Sequence, residues 1–479
     1  MAGINEPVRR DGGVGADRRP VVWFEVEDFL RYFDHFRNPT GSQRVPFEIL
    51  VEAQRLYGRH GRVRFCRLSV YTKRLMPIDF DAIASAYLNP PGTGAPWKTV
   101  WGPALLLSEF AKMAPVIIRN PLFFLRLSKT AVRDLIDMAV RPRRFARFAR
   151  PGDIVVSLGA PWGLPDYAKH MAAARARHGI RFAALIHDMI PVENGALVER
   201  RHAAQFQKWL RETIPCADAI FTVSKHSRQA LLEFAAAAGW PPPHVDVVRL
   251  GGGLSPRPVT GGQRKICLPE RYVLFVSTLE VRKNHRLLVR VWRRLLTRHG
   301  ADAIPVLIFA GQVGWMVDDL LADLAASGYL GGKIEHRPGL SDGELDEAYR
   351  SCLFTVFPSL CEGWGLPIAE SLAYGKFCLA SNRTSIPEVG GDLIDYFDPS
   401  DDEDALTKIE RLLFEPGYVV EREARLRAEY RPNTWADCAH SLLLKLDPAA
   451  PKAEASPAEA SPAGDTHERL TSAQPARNP

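Results

Sequence analysis

What this sequence lacks narrows its function before any motif is read. No G-x-G-x-x-G follows a strand-like run, and the nearest approach to a phosphate-binding loop, "SGYLGGKI", has Ser327 where the first glycine belongs and Ile334 after the lysine. Dinucleotide oxidoreductases and P-loop enzymes need those glycines to bring backbone close to phosphate, so both classes are disfavoured. The seven cysteines are scattered, with no C-x-x-C pair, so neither a disulfide framework nor a zinc site is indicated, and a reducing cytoplasm is expected. The first twenty residues, "MAGINEPVRRDGGVGADRRP", are polar throughout; they read as a disordered leader, residues 1–20, and not as an export signal. The longest apolar stretch, "PALLLSEFAKMAPVIIRNPLFFLRLS", is broken by Glu109, Lys112, Arg119 and two internal prolines, short of the ~18 uninterrupted residues a membrane span needs. A nucleic-acid-binding motif is missing too, with no arginines interleaved with stacking aromatics in a known pattern.

What is present is a chain of 479 residues with a normal apolar share, long enough for two domains of about 200 residues each and hence for a cleft between them. Its net charge of +7 favours an anionic partner. From Val21 onward, apolar β-branched runs ("VVWFEV", "RVRFCRLSV", "DIVVSLG", "FAALIHD", "AIFTVS", "VDVVRL") alternate with helical stretches such as "SQRVPFEILVEAQRLYG", which argues for a parallel sheet covered by helices. Glycine and proline crowd together over "GGGLSPRPVTGGQRK", the mark of a boundary. Six further runs, "YVLFVS", "VLIFAG", "KIEHRP", "LFTVFP", "KFCLAS" and "LIDYFD", then predict a second doubly wound sheet. Ser341 and Glu344 form a capping box before one of its helices. The expected organisation is a first Rossmann-like domain over 21–255, a linker over 256–270, a second over 271–430, a C-terminal helix over 431–447 and a disordered tail over 448–479, where alanine, proline, glutamate and serine take over.

One stretch carries the chemistry. In "SLCEGWGLPIAESLAYGK", Glu362 lies in a loop and Glu370 on a helix that Pro367 opens and Gly375 closes. The free N–H groups of the turn between the two carboxylates suit a phosphate, although acids near a helix start are also favoured by the dipole alone. In "STLEVRKNHRLLVRVW", Arg282 and Lys283 follow a strand, where open α/β sheets bind ligands. A planar fork and a point charge together suit a leaving diphosphate. Cations at a helix start are otherwise unfavourable, so their placement asks for an anion. Asp79 and Asp81 in "PIDFDAIA" form a D-x-D pair that a divalent metal would use, but surface turn chemistry accounts for them more simply. Ser224 reads as the N-cap of "KHSRQALLEF".

Together "STLEVRKN", "CEGWGLPIAE" and "NRTSIPEVGGDLIDYFDP" resemble the donor domain of the retaining nucleotide-sugar glycosyltransferases of family 4, which have the two-lobed GT-B fold. "PTGSQRV", "ALIHDMIP" and "FTVSKHSR" in the first half agree, so the resemblance runs from about Val21 to Lys445. Within the family, "HDMIP" and "GLPIAESLAYGK" are most similar to bacterial mannosyltransferases of surface-polysaccharide assembly.

The resemblance implies that Glu370 accepts hydrogen bonds from the ribose hydroxyls and that Glu362 faces the transferred sugar. The amides of Gly363, Trp364, Gly365 and Leu366 would cradle phosphate or sugar oxygens, Arg282 and Lys283 would neutralise the leaving diphosphate, and His187 would contact the donor sugar. Asp188 would orient that imidazole or be a loop acid. Gly41 would let its loop approach the reacting centre, and Arg44 would contribute charge. Many relatives carry a further arginine at the position of Ser277. The expected activity is retaining, metal-independent hexosyl transfer without a cofactor, the donor being a substrate and GDP-mannose the first choice ahead of a UDP- or dTDP-sugar. The acceptor would be a saccharide, lipid-linked or otherwise membrane-held. Nine cations between Arg119 and Arg150, interspersed with Leu122, Phe123, Phe124, Leu125, Phe145 and Phe148, suggest a peripheral site on the inner face of the cytoplasmic membrane. A degenerate transferase that binds nucleotide sugar without turnover is the alternative.

Overall fold

The computed structural model describes residues 19–35, 41–69, 73–88, 144–253 and 266–447. It contains two sheets. The first has the order β3-β2-β1-β4-β5-β6-β7, from β1 (Val22–Glu25), β2 (Val63–Leu68), β3 (Leu75–Ile78), β4 (Ile154–Ser157), β5 (Arg181–Ile186), β6 (Ala219–Thr222) and β7 (Val245–Val247). The second has the order β10-β9-β8-β11-β12-β13, from β8 (Tyr272–Val276), β9 (Val306–Ala310), β10 (Ile334–Arg337), β11 (Thr355–Phe357), β12 (Cys378–Ser381) and β13 (Asp395–Phe397). In the second sheet all neighbours are parallel, with β8 at the centre and the strand order reversing beside it, the doubly wound arrangement whose crevice lies at that reversal.

Neighbouring strands are parallel, and the central ones read as continuous apolar runs because helices cover both faces of such a sheet. "YVLF" at Tyr272–Phe275 and "LIF" at Leu307–Phe309 are buried end to end. The exception is β3. It pairs antiparallel with β2 at the sheet edge, Leu68 opposite Leu75 and Cys66 opposite Pro77, and no sequence signal had marked it: proline is tolerated only where a missing ladder donor costs nothing, as on an edge. The capping box appears as read, Ser341 accepting from Glu344 N at the head of the helix Asp342–Ser351, and Ser224 caps the helix Lys225–Ala237.

The chain crosses between the lobes twice. After the second sheet it returns, and the C-terminal helix Trp435–Leu446 lays Trp435, Cys438, Ala439, Leu442 and Leu443 into the core of the first lobe, beside the long helix Gly41–Tyr57. The two crossings are tied together. Gly252 N donates to Asn433 O at 2.9 Å, and Asn433 Nδ2 donates to the carbonyls of Arg249 and Leu250 at 2.9 and 3.1 Å. Gly251 lets them touch, since a Cβ there would lie 2.6 Å from Trp435.

Candidate active site

The loop between β11 and the helix Leu366–Ala373 faces the first lobe at the carboxyl ends of the strands. Its shape depends on two glycines. Gly365 precedes the helix at φ +123°, a conformation closed to ordinary L-residues. Gly363 meets the other lobe, where an added Cβ would stand 2.1 Å from the His187 carbonyl oxygen and 2.7 Å from Asp188 Cβ. Hydroxyls from the segment after β12 grip the loop backbone. Ser381 donates to Ser359 O at 2.6 Å, Thr384 Oγ1 accepts from Glu362 N at 2.9 Å, and Ser385 donates to the carbonyls of Glu362 and Trp364 at 2.8 and 3.1 Å. Thr384 does this at φ +52°, a left-handed conformation that costs a β-branched residue on the order of 1–3 kcal/mol and persists only where surrounding contacts impose it. Such strain is concentrated at functional loops.

Glu362 is the hub of a buried charge cluster. Its Oε2 accepts from Arg282 Nη1 at 2.9 Å and its Oε1 from Lys283 Nζ at 2.5 Å. Arg282 also reaches Cys361 O at 3.1 Å and Glu280 Oε1 at 2.7 Å. Both cations ride on the turn Val281–Lys283 after β8, which Leu360 N pins by donating to Arg282 O at 2.8 Å. Burial pushes the Glu362 carboxyl up, but Arg282 and Lys283 outweigh it and hold it at about 2. Burial pushes Lys283 down, helped by Arg282, and pushes Glu280 and Asp188 up against the pull of Arg282. The anion that the two cations require is therefore, in this structure, Glu362 itself.

Eight residues on, Glu370 is buried at the seam between lobes. Arg44 of the first lobe binds its Oε1, and Arg44 Nη2 also donates to Gly253 O at 2.7 Å. Tyr349 donates to Oε2 at 2.7 Å. A carboxylate has about four lone-pair sites, and Arg44 and Tyr349 take one on each oxygen. Gly41 stands against Leu366, 3.6 Å from where its Cβ would be, and Trp364 packs into the first-lobe core. His187, just beyond β5, donates from Nε2 to Leu158 O at 2.7 Å; a carbonyl can only accept, so this fixes the tautomer and leaves Nδ1 as an acceptor. Burial lowers its pKa and keeps it neutral.

The structure thus brings Glu362, Arg282, Lys283, Gly363, Trp364, Gly365 and Leu366 together with His187, and places Glu370 with Arg44 and Gly41. Tyr349 and the hydroxyls of Thr384 and Ser385 had not been singled out; a capping-box helix and the quoted "NRTSIPE" mark their segments, but nothing in their spacing points to Glu370 or Glu362. Ser277, where the family resemblance implies a further arginine, lies 3.3 Å from the buried His285, whose pKa burial lowers to about 3. Asp79 and Asp81 are exposed, and among the described residues no three His, Cys, Asp or Glu side chains gather to hold a metal ion. Of the basic and aromatic stretch, residues 119–143 lie outside the described residues. Phe145, read there as surface, is core, 3% exposed and 4.8 Å from Trp23, while Phe148 is exposed. No helix among the described residues is long and apolar enough to cross a membrane.

Two Rossmann-like lobes that close on such a loop have the GT-B architecture of glycosyltransferases. Residues 263–431 match the family Glycosyl transferases group 1, so the second lobe is a group 1 glycosyltransferase domain. Over 241 residues the chain is 30% identical to O-antigen chain mannosyltransferase B of Escherichia coli, a match covering 48% of this chain and 61% of that one. Over 265 residues it is 27% identical to the serotype-specific mannosyltransferase WbdA of Escherichia coli, covering 53% and 32%. The chain thus spans less than two thirds of the length of these relatives. Its fold is shared by Alr3699/HepE of Anabaena, solved in complex with UDP and glucose, at a TM-score of 0.55 and 11% identity over 89% of this chain and 99% of that one. It is also shared by a glycosyltransferase of Rickettsia africae, at 0.53 and 14% over 89% and 98%.

Proposed function

We propose that this protein transfers a hexosyl group, with retention and without a metal, from a nucleotide sugar to a saccharide acceptor in polysaccharide assembly. The observation that carries the reading is the pairing of Glu362 with Arg282 and Lys283 eight residues before a seam-facing Glu370, inside a group 1 glycosyltransferase domain. Glu370 takes the ribose diol on its open lone pairs, and the N–H groups of the loop from Gly363 to Leu366 face the diphosphate. Both faces of the anomeric carbon need not be flanked by carboxylates, as they are in retaining glycosidases. Instead the acceptor oxygen bonds to the anomeric carbon on the face from which the diphosphate oxygen departs, and the acceptor proton passes to that departing oxygen. Arg282 and Lys283, swinging from Glu362 toward the phosphates, stabilise the charge as it grows. His187 Nδ1 accepts from a sugar hydroxyl.

GDP-mannose is the favoured donor because the relatives named above are mannosyltransferases. Melting of the whole chain with GDP-, UDP- and dTDP-sugars tests this, since a ligand at 100 times its dissociation constant adds about 2.7 kcal/mol. Stabilisation by UDP but not GDP overturns the donor, stabilisation by none overturns the transferase, and binding without turnover favours the degenerate alternative. Turnover is expected to persist in EDTA; loss restored by manganese would return Asp79 and Asp81 as metal ligands. Contact of the basic stretch before Arg150 with an anionic membrane is part of the proposal, and flotation with anionic but not neutral vesicles checks it.

A further inference from the structure

Outside this site the first lobe has a cavity of about 170 Å³ between the turn that carries Trp162 and the helix Arg200–Thr213. One water needs ~10–15 Å³ of such space, so a ring-sized molecule fits. One side is aromatic. Trp162, partly exposed, lies 5.6 Å from Trp209 and 5.1 Å from Phe206, ring centre to ring centre, and its Nε1 donates to His202 at 2.8 Å. The indole N–H of Trp209 is buried without a protein acceptor. The rim is polar, with Gln205, Lys208, Glu212 and Asp166. We infer that this cavity is a subsite for a pyranose ring of the acceptor saccharide, beyond the residue that receives the transferred sugar; the inference rests on the glycosyltransferase reading above.

The chemistry of the two sides points to a pyranose. Such a ring has an apolar face of C–H groups and a girdle of hydroxyls, so it asks for an aromatic wall together with carboxylate and amide partners on the rim. The position fits a chain that continues out of the active site. The turn with Trp162 leaves the carboxyl end of β4, where Leu158 O holds His187 and Ala160 N is held by Asp28 Oδ2 at 2.5 Å. Four residues span at most ~14 Å, so Trp162 is within a few sugar units of the imidazole. The opposite wall is equally continuous with the site. The segment after His187 packs Ile190 and Val198 against Cys361 and leads directly into the helix with Gln205 and Trp209. Tyr167, at the base, donates to Glu25 Oε2 at 2.9 Å at the end of β1, so both walls are anchored to strand ends. A rigid wall is what a subsite requires.

The test titrates the full chain with linear mannose, glucose and galactose tetrasaccharides and with methyl α-mannoside, following tryptophan fluorescence, in parallel with a nucleotide-sugar titration. Saturable binding of one tetrasaccharide is expected, weakened ~10-fold or more in Trp162→Ala and several-fold in the exposed Gln205→Ala, with nucleotide-sugar affinity unchanged in both. In turnover, the variants should raise KM for the tetrasaccharide and leave kcat/KM for the monosaccharide glycoside unchanged. Nucleotide-sugar binding with no saturable saccharide signal up to ~10 mM, or variants that bind the tetrasaccharide as the parent does, overturns the subsite and leaves the transferase standing. Saccharide binding lost in Trp162→Ala, with no nucleotide sugar bound by any form, supports the pocket and overturns the transferase.

Discussion

Replacing Glu362 by glutamine keeps its size and removes the charge that balances Arg282 and Lys283. The cluster around it is buried, with Glu362 and Lys283 each 8% exposed. Holding the carboxyl at about 2 against its ordinary 4.5 corresponds to ~3 kcal/mol of favourable interaction with the ionised form. That agrees with the ~3–5 kcal/mol typical of deleting one partner from a buried pair. For a lobe of this size the melting temperature should fall by ~6–12 °C at neutral pH. Because the folded carboxyl is depressed, its contribution is complete above about 4.5 and is lost as pH falls toward about 2. The gap between parent and Glu362→Gln should therefore close over that interval. The freed cations also make a second reading. A nucleoside diphosphate supplies the missing negative charge, so GDP or UDP should raise the melting temperature of the variant by more than that of the parent. Calorimetry across pH, with and without the nucleotide, measures both. A variant that melts with the parent at neutral pH, or equal nucleotide shifts in the two proteins, would refute the view that Glu362 holds these cations in place of a diphosphate.

Two other variants test the seam. Gly363→Ala puts a methyl 2.1 Å from the His187 carbonyl oxygen, so backbone must move; turnover should drop ~100-fold through misplacement of the reacting groups and nucleotide affinity should weaken with it as the loop amides shift, and normal turnover would mean that the lobes need not meet there. Tyr349→Phe removes the 2.7 Å hydrogen bond to Glu370; since a bond to a charged group contributes ~1.5–3 kcal/mol, nucleotide-sugar affinity should fall ~10-fold or more in a binding titration, and an unchanged value would reduce Tyr349 to packing.

The central strands were legible because burial on two faces writes an apolar run, as in β8 and β9, and the polar edge strand β10 was legible only from its place in the alternation with helices, whereas β3, an edge strand with Pro77, carried neither signal. The helix Trp435–Leu446 was legible as a helix, but an apolar stripe says that a face is buried without saying against what, and its partner is the opposite lobe. At the site, the glycines of "CEGWGLP" and the two cations after β8 were visible from local sequence. Their mutual neutralisation follows from placing β8 beside β11, which no local pattern encodes. The Arg44–Glu370 contact joins residues 326 positions apart, and only the closing of one lobe on the other brings them together.

The double crossing near Gly252 and Asn433 also determines how the molecule can be cut. Two strands of chain laced side by side tie the lobes together through the Gly252–Asn433 bonds. Arg44 joins the same place through the Gly253 carbonyl, so its contact with Glu370 lies beside the tie. Division of the gene at the linker would not yield two independent halves. The amino-terminal fragment would lose Trp435, Leu442 and Leu443 from its interior, and the carboxyl-terminal fragment would carry them exposed on a helix with nothing to cover it.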